Sequence, residues 1–289
     1  MKQQRFFGAP DYDKLQNLAQ QLRRDAIRMI HHAGSGHIGG SLGLADYMSV
    51  LYGYVMQYDS ENAAASDRDR LILSNGHTCA TWYAALARSS QIPVEELSTF
   101  RKLGSRLQGH PARKTMPELV ETSTGPLGQG FSVANGIALS LKLRKSSANV
   151  YCILGDGELQ EGQVWEAFMT AAHYKLNNIT VFINYNKLQI DGTTAEVMNI
   201  DPLADRLTAF GWHVSEIDGH NLEEIVEALN AGLTIPDKPK VIIGNTLMGK
   251  GVSYMENLAA WHGTCPSDEQ TVEALEQIGR SDSYQDFPL

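Results

Sequence analysis

Gly155-Asp156-Gly157 follows directly on the apolar run Val150 to Leu154 and precedes a helical stretch that opens near Gln160. In open α/β sheets, ligands sit outside the carboxyl ends of the strands. A carboxylate there can ligate Mg²⁺, which takes one or two carboxylates together with phosphate oxygens and water, and flanking glycines let backbone come close to the ligand. A helix N-terminus behind the turn favours phosphate. The same tripeptide also makes an ordinary tight turn, so its partner matters. Asn186, in Asn184-Tyr185-Asn186-Lys187-Leu188, lies thirty positions after Asp156, about the length of one strand-helix-strand repeat. Neighbouring parallel strands would bring both side-chain oxygens to one cation.

Four histidines stand in other loops: His37 in SGHIGGSLG, His77 in SNGHTCATWYA, His110 in QGHPA and His262 in WHGT. A neutral imidazole both donates and accepts a hydrogen bond, although one loop histidine alone is more often a surface or structural residue. His31, His32, His173, His213 and His220 are read that way. Gly125-Pro126-Leu127-Gly128-Gln129-Gly130 opens a helix near Phe131. Such a turn can hold phosphate or admit a flat ring, or it can mark a close helix-sheet crossing. Glu158 and Glu161 suit a helix N-terminus. Lys250, in MGKG, is either a cation aimed at an anionic ligand or a solvated surface lysine.

These residues need a frame. Short apolar runs at Leu71 to Leu73, Val150 to Leu154, Ile179 to Asn184, His213 to Ile217 and Val241 to Gly244 alternate with helical stretches at Gln160 to Tyr174, Asp201 to Phe210 and Leu222 to Leu233. That alternation means a doubly wound α/β fold, a mainly parallel sheet of five to six strands with helices on both faces. Ahead of it, Leu15, Leu18, Leu22, Met29 and Ile30 make a helical stripe over Tyr12 to Ala33 that Gly34 ends. Gly34 to Gly43 reads as a Gly-rich loop, Ala45 to Met56, Thr78 to Arg88 and Glu95 to Leu103 as helices, and Gly104 to Gly130 as irregular. No repeat or linker divides residues 1–289, so one domain is expected, with an N-terminal helical segment over 1–33. A C-terminal tail over 266–289 carries a helix from Asp268 to Ile278.

Composition limits the partners. The chain has 289 residues, 43% of them hydrophobic, and a net charge of −9, which allows one sizeable core and opposes nonspecific binding to nucleic acid or anionic membrane. A phosphate ligand must then be held by geometry or by a metal. Cys79, Cys152 and Cys265 stand far apart, which suggests neither a disulfide framework nor a zinc cluster. With no signal-like or membrane-spanning run, a soluble cytoplasmic protein is expected.

The Asp-Gly pair followed some thirty residues later by Asn resembles the diphosphate-binding motif of thiamine diphosphate enzymes. GDGELQEGQVWEA at Gly155 to Ala167, AAHYKLNN at Ala171 to Asn178 and LQIDG at Leu188 to Gly192 resemble transketolases in particular, and the likeness runs over nearly the whole chain. It implies the diphosphate-binding domain of that fold, with thiamine diphosphate and Mg²⁺ as cofactors. Asp156, Asn186 and the Leu188 carbonyl would hold Mg²⁺. Gly155, Gly157, the backbone of Gly125, the side chain of Leu127, His77 and Lys250 would face the cofactor. His37, His110 and His262 would contact the sugar, and Glu161 would help connect paired active sites across an interface. Two positions depart from the family pattern: Tyr185 stands before the asparagine where relatives carry Asn or Asp, and Ile38 follows the first histidine where proline is usual.

The resemblance implies transfer of a two-carbon ketol unit from a ketose or ketose phosphate to an aldose. The pyrimidine-binding and C-terminal domains are expected on a separately encoded subunit, the two forming a heterotetramer. A deoxyxylulose-phosphate-synthase-like subunit is the neighbouring alternative. Gly34-Ser35-Gly36-His37-Ile38-Gly39 formally fits the dinucleotide pattern of an NAD-dependent dehydrogenase, but it follows a helix, and that fingerprint belongs after a strand. A noncatalytic scaffold gives no reason to keep metal ligands and four histidines together.

Overall fold

A computed structural model describes residues 8–59 and 61–289; the first seven positions of the expected N-terminal segment lie outside the described residues. Seven strands occur among them: β1 (Arg70–Leu73), β2 (Val150–Gly155), β3 (Ile179–Tyr185), β4 (Leu188–Gln189), β5 (Gly192–Thr193), β6 (His213–Asp218) and β7 (Lys240–Asn245). Five form one parallel sheet in the order β1-β2-β3-β7-β6, and β4 pairs with β5 in a small antiparallel ribbon. All five main strands match the apolar runs. They are legible because a parallel sheet covered on both faces reads as continuous Val, Ile and Leu.

The helices are α1 (Tyr12–Ala33), α2 (Ile38–Gly43), α3 (Ala45–Val50), α4 (Cys79–Arg88), α5 (Gln129–Leu143), α6 (Gly162–His173), α7 (Thr194–Val197), α8 (Leu203–Ala209), α9 (Leu222–Thr234) and α10 (Asp268–Ile278). Alternate residues of each strand feed two cores. Tyr151, Ile153, Phe182 and Ile242 join α1, α3, α4 and α9 on one face. Cys152, Leu154, Val181, Ile183 and Ile243 join α5, α6 and α8 on the other. Helix α1 starts at Asp11, whose side chain accepts from Lys14 N, and ends at Gly34 in the left-handed region, φ 68°. No helix among the described residues is long and apolar enough to cross a membrane.

Three expectations need correction. Glu95 to Leu103 is not a helix but a tight 3₁₀ segment, Val94–Thr99. Ser98 and Thr99 donate back to the carbonyls of Glu95 and Glu96, and Arg101 takes φ 59°. The Gly-rich stretch after Gly34 is largely the buried helix α2. Its glycines serve close packing: a Cβ on Gly39 would lie 2.5 Å from Met248, and one on Gly43 would lie 2.8 Å from the Leu247 carbonyl. The helix expected over Ala45 to Met56 changes after Val50 into a wider π turn, Leu51–Val55.

The tail packs against α1. Gln20 donates to the Ile278 carbonyl at 2.7 Å, Arg24 pairs with Asp286 at 2.7 Å, and Arg28 donates to the carbonyl of Phe287, whose ring is buried.

Candidate active site

Register brings the acidic turn and the asparagine loop together. β2 and β3 pair from Val150↔Ile179 to Gly155↔Asn184, so Asp156 and Asn186 emerge side by side at the carboxyl edge. Asp156 is almost fully buried; one carboxylate oxygen accepts from Gly157 N and the other from Lys187 N, across the two loops. Asn186 Oδ1 accepts from Leu188 N at 2.9 Å, and Lys187 takes a left-handed φ of 63°. Burial pushes the Asp156 carboxyl up to about 7, partly opposed by those backbone hydrogen bonds. Tyr185, which departs from the family pattern, has a local role: it is buried and donates its hydroxyl to Asp201 at 2.7 Å.

A cavity of about 380 Å³ opens above this edge. His37, His77, His110, His262, Gly125, Leu127, Gly155, Asp156, Gly157, Glu161, Asn186 and Leu188 all line it, so positions scattered through the sequence converge on one space. The imidazole centroids are 5.1 Å apart for His37 and His77, 5.1 Å for His77 and His262, 5.5 Å for His37 and His262, and 5.9 Å for His37 and His110. Burial, followed by mutual repulsion of the cationic forms, lowers His37 to about 4 and His77 to about 3, and burial lowers His110 and His262 as well. All four are neutral at neutral pH, each with one donor and one acceptor nitrogen.

Lys250 is placed differently. It lines an adjoining cleft of about 600 Å³, which shares Asn186 and Leu188 with the cavity, while Met248 faces the cavity itself. Gly249 between them takes φ 77°, which turns the chain away. Glu161 is exposed at the cavity rim and caps α6 without a side-chain hydrogen bond.

Two polar residues were not singled out for the site by sequence reasoning. Glu158, read there as a helix-terminus residue, is buried: Oε1 accepts from Ser74 Oγ at 2.5 Å and from Gly128 N at 2.7 Å, and Oε2 accepts from Gly155 N at 3.1 Å. One carboxylate thus ties together the loops after β1, before α5 and after β2. Asn75, between Ser74 and Gly76, is also buried and lines the cavity. The available signal for Asn75 is its position just past the carboxyl end of β1, where continuing the Leu73↔Ile153 register sets it level with Gly155, the residue before Asp156. His220 has a supporting role: its Nδ1 donates to Asp46, which pairs with Arg23, and its Nε2 accepts from Leu247 N at 2.8 Å, fixing the turn that carries Met248.

The residues present fit a metal-bound diphosphate. A Cβ on Gly155 or Gly157 would meet nothing nearer than 3.5 Å, so these glycines are not required by packing and leave room in front of the turn. Buried polar atoms of Asn75, His37 Nδ1 and His262 Nδ1 have no hydrogen-bond partner, and buried polar groups are normally paired. Among the described residues, no group of three His, Cys, Asp or Glu side chains is arranged to hold a metal. A carboxylate, a carboxamide and a carbonyl instead match what Mg²⁺ accepts when phosphate oxygens complete its shell.

A parallel sheet with a carboxylate and a carboxamide converging past paired strands, beneath a ring of imidazoles, is the diphosphate-binding domain of thiamine diphosphate enzymes. The sequence matches the family "Transketolase, thiamine diphosphate binding domain" over residues 14–288, and the chain belongs to the transketolase family. It is 41% identical to the 6-deoxy-6-sulfo-D-fructose transketolase subunit SqwG of Clostridium sp. (strain MSTE9), over 91% of this chain and 96% of that one. It is 37% identical to an apulose-4-phosphate transketolase subunit of Phocaeicola vulgatus, over 92% and 94%. The crystal structure of transketolase from Campylobacter jejuni superimposes with a TM-score of 0.87 at 36% identity, covering 92% of this chain and 43% of that one. The chain thus spans less than half the length of that full transketolase.

Proposed function

We propose that this chain is the diphosphate-binding subunit of a two-component transketolase, completed by a separate subunit that carries the pyrimidine-binding and C-terminal domains, the pair assembling as a heterotetramer. The observation that carries the reading is the Asp156 and Asn186 pair, joined through the Lys187 N–H to Asp156 hydrogen bond under four neutral histidines. The two-part assembly is supported by near-complete coverage of relatives named as subunits.

Asp156, Asn186 and the Leu188 carbonyl would hold Mg²⁺. Gly155, Gly157, Gly125, Leu127 and His77 would face thiamine diphosphate. Once bound, that cofactor supplies the carbanion and electron sink for cleaving a ketose between carbons 2 and 3 and passing the two-carbon unit to an aldose. His37, His110 and His262 orient the sugar hydroxyls and carry protons between sugar oxygens, which a neutral imidazole does without a net change of charge. Glu161, exposed at the rim, would reach the subunit interface. Lys250 lies beside the metal loop in its own cleft, where it would act on the bound anion only through its field. The two relatives are named for different sugars, so the ketose donor is assigned by class: a ketose, or one bearing a terminal anionic group.

The test is reconstitution. The chain and its separately encoded partner are purified apart, then assayed together and singly for two-carbon transfer from a panel of ketose donors, with Mg²⁺ and thiamine diphosphate. Transfer only by the pair is expected. Full activity of the isolated chain would remove the two-component reading, and a pair that binds the cofactor yet transfers nothing from any ketose would remove the transketolase reading.

A further inference from the structure

The buried carboxamide of Asn75 has both its nitrogen and its oxygen without a hydrogen-bond partner, although the residue is 1% exposed and lines the cavity. Its backbone leaves it little freedom. Asn75 N donates to the Ile153 carbonyl, and its own carbonyl accepts both Thr78 N and Thr78 Oγ1. Gly76 beside it is packed so closely that an added Cβ would lie 2.5 Å from Thr124 Oγ1. The backbone and Cβ that carry the side chain are therefore held by a rigid turn next to the Asp156 turn, with Cβ 3.8 Å from where a Cβ on Gly155 would be. A polar group fixed, buried and unpaired in a preformed cavity is a binding group awaiting its ligand.

We propose that Asn75 is a cofactor-binding residue whose Nδ2–H donates to an oxygen of the diphosphate. This rests on the thiamine diphosphate reading above and adds a contact to it. An ionised diphosphate offers acceptors only, so it takes the donor end of the amide. No Lys or Arg among the described residues lines the cavity, which leaves neutral donors such as this one, besides the metal, to position the anion. Ser74, the residue before Asn75, donates its hydroxyl to Glu158, so the same carboxylate that steadies the glycine turn also positions the Asn75 turn.

The test is calorimetric titration of the chain, alone and with its partner subunit, with Mg²⁺–thiamine diphosphate and separately with Mg²⁺–pyrophosphate. Asn75→Ala is expected to weaken both ligands by the same factor of about ten, equivalent to ~1.4 kcal/mol. Asn75→Asp, of the same shape but anionic and without the donor, is expected to weaken both by at least about a hundredfold. The ligand-free melting temperature of Asn75→Ala should not fall, because the side chain has no partner to lose. Binding by Asn75→Asp within twofold of wild type overturns the proposal. A loss confined to thiamine diphosphate, with pyrophosphate unaffected, also overturns it, as does a marked drop in ligand-free melting temperature. If wild type binds neither ligand in either form, the thiamine diphosphate reading itself falls.

Discussion

Glu158→Ala tests whether the cavity is held by its own wall or by its ligand. The substitution removes a carboxylate that accepts from Ser74 Oγ, Gly128 N and Gly155 N and leaves three donors around a space of one side chain. An unsatisfied buried donor costs about 1–3 kcal/mol. The Ser74 hydroxyl can rotate toward another acceptor, whereas the two backbone N–H groups cannot. Burial raises the Glu158 pKa, so losing the charge returns part of its desolvation penalty. Two stranded N–H groups less that relief come to about 2–4 kcal/mol of lost stability. Glu158→Gln should fall between wild type and alanine: its amide group faces at least one N–H donor whichever way it sits, but the other donors keep an oxygen. Urea denaturation of the ligand-free chain measures stability, and titration with Mg²⁺–pyrophosphate measures the site. Pyrophosphate affinity should drop in the order wild type, Gln, Ala. An alanine variant within about 0.5 kcal/mol of wild type, or one that is destabilised yet binds pyrophosphate normally, would refute the reasoning that this carboxylate sets the loops.

Other expectations follow from the same geometry. Gly244→Ala would place a Cβ 2.3 Å from Phe182 Cζ, in a ring stacked on Tyr47 at 3.7 Å; overpacking of this kind costs about 1–3 kcal/mol, and a urea midpoint matching wild type would contradict it. His37 and His77 have folded pKa values below the ordinary 6.5, so the unfolded chain binds more protons. Their contribution is present above about pH 6.5 and is lost as pH falls toward 4, on the order of 5 kcal/mol for the pair after allowance for the partial exposure of His37. A His37→Gln/His77→Gln variant should therefore show a flatter stability profile from pH 7 to 4.5, and parallel profiles would count against burial as the cause. Asp156→Ala should abolish Mg²⁺-dependent tightening of thiamine diphosphate in the reconstituted pair; unchanged metal dependence removes Asp156 from the ligand set.

The residues that announced the site were those whose type and strand-end position agree. Asp156 and Asn186 each follow a buried parallel strand, and the thirty-residue spacing translates into adjacent strands because one helix, α6, fills it. Burial of polar residues by distant segments left no such trace. Glu158 looks like an ordinary acidic residue at a helix start until the loops carrying Ser74 and Gly128 are folded onto it. Asn75 is one amide among many until its turn is set against Ile153. Lys250 drew attention by charge, but the left-handed turn at Gly249 gives the cavity Met248 instead. The glycines of α2 read as loop because their packing against Met248 and Leu247, some two hundred residues on, is invisible locally.

The charge of the cavity wall decides how an anion can be held there. Its lining includes Asp156, Glu158, Glu161 and Asp191, and among the described residues neither lysine nor arginine. A diphosphate brought to that wall without a cation would either meet ionised carboxylates, where two unit charges about 4 Å apart repel by roughly 4 kcal/mol at a dielectric near 20, or hold the buried Asp156 carboxyl in its protonated form, which its raised pKa of about 7 allows. Neutral histidines, backbone N–H groups and the Asn75 amide can orient it but cannot offset that repulsion. On the proposed reading, tight binding of a diphosphate at this wall is expected to need a divalent cation. By the same reasoning, a sugar bearing a terminal phosphate or sulfonate finds neither lysine nor arginine in this lining among the described residues, so selectivity for one is expected to come from cations outside the wall, such as Arg101, whose charge reaches His37 and His110.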